Sequence, residues 1–238
     1  MSIVVVHSVT GQFSSSLSAT ATINGVTAGN ALFAVVSHID QGGNSPTFTI
    51  SDGTSYTQDI ASDQGGQVEI AIARRFNVAG GNYTLTVTAS AGTAGQSHGR
   101  IQFLEVSGLG NAFDTSGSAK NTGTQARTTS NTATLASSSE FALAVYGAFS
   151  NNLGGFNSPP SGGPGSWTNL FNASESVGLW DSDYQIISGS NAAFNVSWGT
   201  TGLPTTKWNC AVATYTGAAL KTFLYKPKRV YEDHFITS

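Results

Sequence analysis

Hydrophobic and polar positions alternate along much of the chain with the two-residue period of a strand that buries one face. The alternation is clearest in three segments rich in β-branched residues, which are Leu17 to Ile23, Val68 to Ala73 and Tyr83 to Thr88. Ala31 to Ile39 is a more continuous apolar run, which favours a central strand. Gly-Gly, Asn-Gly and Asp-Gly pairs separate such runs and supply the backbone conformations that tight turns need. The pattern predicts an all-β protein built as a sandwich or barrel.

The two halves of the chain resemble each other in this pattern. At an offset of 109 positions, apolar residues and turn glycines coincide in three pairs of segments: Val68–Ile70 with Val177–Leu179, Leu85–Val87 with Phe194–Val196, and Val106–Gly108 with Tyr215–Gly217. With small shifts, Leu32 to Val36 also matches Phe141 to Val145. We therefore expect an internal repeat.

The repeat predicts two tandem antiparallel β-sandwiches, immunoglobulin-like or jelly-roll, over residues 1–109 and 110–217. A C-terminal segment, residues 218–238, follows them. A single larger sandwich with strands shared between the repeats is the alternative.

The amino-acid composition excludes several classes of function. Only 10% of the 238 residues are charged, against about 25% in an average soluble protein. Aromatic residues make up 10%, which favours a folded chain over a disordered one. The net charge of −3 gives no general attraction to nucleic acid, and no apolar run is long enough for a membrane span. Cys210 is the only cysteine, and on a predicted strand it is expected to be a buried small hydrophobe.

The sequence contains no recognisable catalytic or metal-binding motif. The four histidines are scattered, and no nucleophile elbow, phosphate-binding loop or dinucleotide fingerprint is present. Asp181 and Asp183 would share one face of a strand, which suits either a calcium site or acid–base pair, or a solvated strand end. We favour the solvated strand end, because the first repeat has Ile72 and Arg74 at the matching positions. We expect a non-catalytic protein without a metal or cofactor.

Two groups of residues are candidates for binding. All four tryptophans lie in the second repeat, and exposed rings could stack on sugars, with Trp167 and Trp208 as the glycan-binding candidates. Trp167 also aligns with Tyr56, which favours packing instead. The C-terminal segment holds four of the ten basic residues, interleaved with aromatics, which suits docking onto a partner. The predicted docking residues are Phe223, Tyr225, Lys226, Lys228, Arg229, Tyr231 and Phe235.

A resemblance to a known class adds to this interpretation. The segment Gly25 to Asn30 precedes a buried strand, Ser55-Tyr56-Thr57 recurs as Ser166-Trp167-Thr168, and Val78 to Asn82 precedes another strand. Over residues 3–217 this arrangement resembles the β-sandwich modules of bacteriophage virion proteins of the head-decoration, fibre and tail-associated type. The resemblance implies a structural or adhesive role, no cofactor and assembly in many copies. Its partners would be capsid, portal or tail proteins and further copies of the chain.

We therefore expect a virion structural protein that acts as a capsid decoration or an appendage component. The N-terminal residues do not resemble a secretory signal peptide, which suits synthesis in the host cytoplasm and location in the virion. The alternative is a carbohydrate- or receptor-binding adhesin module, with a host-surface glycan as its partner. A glycan-active enzyme is a third and less favoured interpretation, because no acid–base pair stands out.

Overall fold

The computed structural model describes residues 2–123, 126–149, 158–199 and 207–219, and its regular structure is almost entirely β. The strands of the first half are Val4–Ser14 (β1), Ser18–Val26 (β2), Ala31–Asp40 (β3), Phe48–Ser51 (β4), Thr57–Asp63 (β5), Val68–Arg75 (β6), Gly81–Ala89 (β7) and Ser97–Ser107 (β8). Those of the second half are Leu109–Thr122 (β9), Arg127–Thr128 (β10), Ser139–Phe149 (β11), Thr168–Glu175 (β12), Gly178–Ser188 (β13), Ser197–Trp198 (β14) and Lys207–Gly217 (β15). No α-helix occurs within these ranges, so the all-β prediction is confirmed.

In the first half, two antiparallel sheets form a sandwich. One sheet has the order β1-β8-β3-β6-β5 and the other β2-β7-β4. The pairing is nested, with β1 on β8, β2 on β7 and β3 on β6. An immunoglobulin sandwich instead places its first two strands in one sheet. Of the two predicted topologies, the strand order is therefore that of a jelly roll.

The second half has the same strand order. Its large sheet runs β9-β15-β11-β13-β12, which corresponds strand by strand to the large sheet of the first half. Its small sheet pairs β10 with β14, and backbone hydrogen bonds extend this pairing from Thr129 to Val196 and from Thr132 to Phe194. Ser161 forms a bridge with Ser197 at the position that β4 occupies in the first half. This agreement supports an internal repeat, whose origin from one duplicated unit stays a prediction.

The structure corrects the register of the predicted alignment. Ile70 packs toward the second half, whereas Leu179, its aligned counterpart, packs inside the second sandwich. Leu32 and Phe141 also lie in different cores. By contrast, Val106 and Tyr215 keep matching faces, and so do Leu85 and Phe194. A slip of one residue moves every side chain of a strand to the other face. The apolar pattern could not reveal the slip, because these strands are apolar on both faces.

The two five-stranded sheets pack face to face and enclose a third hydrophobic core, which we call the middle core. It joins Phe33 and Ile72 of the first half to Phe141, Val145 and Tyr215 of the second. Together with the core inside each sandwich, it organises the protein into four layers. All ten residues of β3 are buried for this reason, which accounts for its continuous apolar run. The sequence analysis predicted a core inside each half but not the middle core.

Polar contacts fix the two halves around the middle core. Tyr215 donates from its hydroxyl to Asp59 Oδ2 at 3.0 Å, and Ser37 donates from Oγ to the Tyr146 carbonyl at 3.1 Å. Asn209 donates from Nδ2 to the Val68 carbonyl at 3.2 Å. Because buried polar groups that find partners avoid the cost of desolvation, these contacts favour one arrangement of the two sheets.

Glu105 ties strand β1 and the β2–β3 turn to strand β8. Its side chain is fully buried and accepts hydrogen bonds from His7 Nδ1, the Thr27 amide at 2.8 Å and Asn30 Nδ2 at 2.6 Å. Burial alone raises the pKa of Glu105, but these hydrogen bonds outweigh it, and the pKa lies below its ordinary value of 4.5.

Replacing Glu105 with glutamine is expected to lower the free energy of unfolding at pH 7 by about 1–3 kcal/mol, because charged hydrogen bonds are lost. A lowered folded-state pKa contributes stability that is present above the unfolded value and disappears as the pH falls through the folded pKa. The difference between the two proteins should therefore shrink below pH 4.5. Urea unfolding at pH 7 and in acid measures it, and a difference that stays constant with pH would contradict the role of the carboxylate.

Candidate functional site

A cavity of about 330 Å³ opens at one edge of the first sandwich, between β4 and β5. These strands belong to different sheets and do not pair as a ladder, so a gap remains between them. Gln58 crosses the gap by donating from Nε2 to the Phe48 carbonyl at 3.0 Å. The cavity is lined by apolar residues, among them Phe48 and Ala61, and by the acidic residues Asp63 and Glu69. It is larger than the cavity of about 240 Å³ beside Phe194 in the second sandwich.

A row of three buried side chains orients Glu69 at this cavity. Glu69 Oε2 lies 2.8 Å from His38 Nδ1, and His38 Nε2 lies 2.6 Å from Ser97 Oγ. The three residues come from adjacent strands, because β3 pairs with β6 on one side and with β8 on the other. Sequence analysis missed this row, although its signal was present as polar residues inside apolar runs.

The row has the order of groups found in serine hydrolases, which is serine, histidine and carboxylate. A nucleophile must reach its substrate, however, and Ser97 is 0% exposed and does not line the cavity. Burial lowers the pKa of His38 to about 4, so its imidazole is neutral at physiological pH. The row therefore acts as a buried hydrogen-bonded network that fixes the carboxyl group of Glu69.

Glu69 is an unusual acid. Burial, followed by the negative charges of Asp63 and Asp40, raises the pKa of its carboxyl group to about 9. Its Oε2 is held by His38, whereas Oε1 has no hydrogen-bond partner in the part of the chain that the structure describes. At neutral pH, Glu69 therefore carries a proton in the structure, and one side of its carboxyl group is unused.

The predicted pair Asp181 and Asp183 does share one face of strand β13, but that face is buried. Asp181 is 1% exposed and Asp183 is 0% exposed, so the interpretation as a solvated strand end is wrong. Asn169 Nδ2 lies within 3.0 Å of Oδ1 of both carboxyl groups, and Ser158 and Trp198 donate to Asp181. The pair lies inside the sandwich because the true register aligns it with the inward face of β6.

Burial raises the pKa of Asp181 and of Asp183, and the charge of Asp181 raises that of Asp183 further. Within the described residues, no group of three or more histidine, cysteine, aspartate or glutamate side chains is placed to hold a metal ion.

The edges of the two sandwiches differ in how they are closed. Asn169 of β12 pairs with Asp183 of β13, just as Gln58 of β5 pairs with Ala73 of β6 in the first half. Both sandwiches thus carry a side-chain amide at the corresponding edge. In the second sandwich this edge is closed by hydrogen bonds to Asp181 and Asp183, whereas in the first sandwich it stays open.

The tryptophan candidates lie in the core of the second sandwich. Trp167 is 8% exposed and donates from Nε1 to the Gly162 carbonyl at 2.7 Å, and Trp208 is 2% exposed. Neither presents an exposed ring face on which a sugar could stack. Tyr56 of the first half is equally buried, at 6%.

Two further residues named from the sequence have structural roles within the fold. Cys210 is buried as expected, and burial raises the pKa of its thiol to about 12. Arg74 forms an ion pair with Asp59 at 2.8 Å. The seven predicted docking residues, from Phe223 to Phe235, lie outside the described residues. None of the described helical segments is long and apolar enough to cross a membrane.

Comparison of the chain with protein-family models, with curated proteins and with solved structures gave no match.

Proposed function

We propose that the protein is a non-catalytic structural component of a bacteriophage-type virion, a capsid decoration or an appendage subunit held by protein–protein contacts. The observation that carries the proposal is the pair of sandwiches with jelly-roll strand order, joined through the middle core into one four-layer block. Jelly rolls recur in viral capsid domains and in lectins. Because a fold alone does not define a function, the surface of the block also matters.

The N-terminal strand offers a surface for assembly. Strand β1 is an edge strand of eleven residues, and its outer side has no strand partner among the described residues. Val4 and Val6 on it are 46% and 40% exposed, two of the three most exposed large hydrophobic residues among those described. An unpaired edge with exposed apolar residues is a template for association with another chain. This strand supports the proposed contacts between subunits.

The C-terminal segment supplies the proposed anchor. Its first residues leave strand β15 beside the junction of the two halves, where the Ala218 amide donates to the Gly108 carbonyl at 2.8 Å. Gly108 has a φ of 78°, and a Cβ there would collide with the backbone of Ser2. The junction is therefore tightly packed, and a deletion designed to test the anchor should begin beyond it.

Deletion of residues 220–238 is expected to leave the melting temperature unchanged and to reduce incorporation into particles by roughly tenfold or more, since hot-spot contacts dominate such binding. Quantitative mass spectrometry of purified virions compares the truncated chain with the full-length chain, which should be present in many copies. Full incorporation of the truncated chain would contradict the anchor. Absence of the full-length chain from virions would contradict the proposed function itself.

A further inference from the structure

The cavity between β4 and β5 has an unused acceptor at its inner end. Glu69 is 1% exposed, lines the cavity, and has no partner for Oε1 in the described part of the chain. Its orientation is fixed, because Oε2 is held by His38. A buried polar atom without a partner costs free energy, which a ligand that donates a hydrogen bond would recover.

The neighbouring polar groups add further acceptors. Asp63 uses Oδ1 to accept a hydrogen bond from the Gly66 amide at 2.8 Å, and its carboxyl group lies close enough to Glu69 to raise the pKa of that residue. Gln58 uses Nε2 to reach the Phe48 carbonyl, which leaves its Oε1 available as an acceptor. The residues that line the cavity include two carboxyl groups and no basic side chain.

The walls of the cavity are apolar. Pro46, Phe48 and Ala61 surround the approach to the carboxyl groups, and they suit the aliphatic part of a ligand. Lysine and arginine side chains combine an aliphatic stem with a cationic head that donates hydrogen bonds. A neutral sugar would instead be expected to stack on an exposed aromatic face, and Phe48 is only 8% exposed.

We propose that this cavity binds the cationic head of a lysine or arginine side chain from a partner protein, with Asp63 and Glu69 as its acceptors. The aliphatic stem lies against Phe48 and Ala61, and the head donates to Glu69 Oε1 and Asp63 Oδ2. The site goes beyond the proposed virion role and does not depend on it, because the binding test below uses the isolated protein.

The test is an NMR titration of the full chain with Nα-acetyl-arginine amide, observed through backbone amides. We expect saturable shifts confined to the amides of residues 47–48, 58, 61–63 and 69–70, which border the cavity. Butanol and methyl glucoside are the neutral controls and should produce no such shifts. Saturable binding of the glucoside without binding of the arginine amide would overturn the proposal in favour of a sugar site. Putrescine that binds more tightly than the arginine amide would instead assign the cavity to a free diamine.

Variants locate the interaction. The double variant Asp63→Asn/Glu69→Gln removes both carboxyl groups and is expected to weaken binding by roughly tenfold or more. Each single variant should lose less, because the remaining carboxyl group can still accept a hydrogen bond from the cationic head. Glu175→Gln is the matched control on strand β12 of the second sandwich and should bind like the wild type. Unchanged binding by the double variant would overturn the proposal.

A further variant keeps the test decisive if the double variant fails to fold. Ala61 is exposed and lines the cavity, so Ala61→Lys should fold and place a competing cation at the entrance. Its melting temperature is expected to match the wild type, and its binding of the arginine amide should be lost. Binding that persists in this variant would place the ligand elsewhere.

Discussion

Replacing Phe33 with alanine is expected to lower the free energy of unfolding by about 3–5 kcal/mol, the usual cost of truncating a buried aromatic residue. Phe33 is fully buried in the middle core, where its ring lies 4.6 Å from that of Tyr215 and 5.6 Å from that of Phe141, centroid to centroid. Truncation would leave a void between the two five-stranded sheets, because the β-sheet backbone on both sides is too rigid to close it.

Tryptophan fluorescence shows whether a truncation in the first half of the chain destabilises the second half. All four tryptophans lie in the second half of the chain, whereas Phe33 lies in the first. If the middle core couples the two halves, the fluorescence transition in urea will move to a lower midpoint in Phe33→Ala. Ile186→Ala is the control, because Ile186 is 42% exposed in the second half and its truncation should change little. A fluorescence transition unaffected by Phe33→Ala would show that the halves unfold independently.

Replacing Asp183 with asparagine is expected to stabilise the protein at neutral and alkaline pH, by at least about 1.4 kcal/mol at pH 7.5, since each unit by which the folded-state pKa is raised corresponds to about 1.4 kcal/mol. Burial and the charge of Asp181 raise the pKa of Asp183 above its ordinary value of 3.8. A raised folded-state pKa contributes stability that is fully present below the unfolded value and is lost as the pH rises through the folded pKa. Asparagine has no proton to lose and avoids this loss.

The pH dependence separates this explanation from a general packing effect. Near pH 4 and below, Asp183 is protonated in the folded state and resembles asparagine in shape and charge, so the two proteins should differ little there. The gain should grow steadily toward alkaline pH. Thermal or urea unfolding between pH 4 and pH 9 measures the difference. A stability gain that is equal at all pH values, or a loss at pH 7.5, would contradict the presence of a raised carboxyl pKa at this position.

The acid pair shows how far sequence reasoning reached. The two-residue spacing of Asp181 and Asp183 correctly placed both side chains on one face of a strand, because that period is a property of the extended backbone. Whether that face is exposed to water or packed in a core could be predicted only from the alignment of the second half with the first. The predicted alignment was wrong by one residue there, since the apolar strands match almost equally well in either register.

The candidate site depended on contacts that no local pattern contains. His38, Glu69 and Ser97 come from three strands that are adjacent only because β3 lies between β6 and β8. Each is a polar residue within or beside an apolar run, and this was the only signal that the sequence offered. The cavity itself results from the missing ladder between β4 and β5, which is a property of how the two sheets diverge.

Local physics sufficed for the strands, the turns and the polar but weakly charged character of the chain, because period and turn chemistry are encoded within a few residues. Only the tertiary structure decided which face of each apolar strand packs against which core. When both faces of a strand are buried, hydrophobicity no longer distinguishes them, and only the packing of the opposite sheet does. The middle core, the buried acid pair and the oriented Glu69 all follow from that packing.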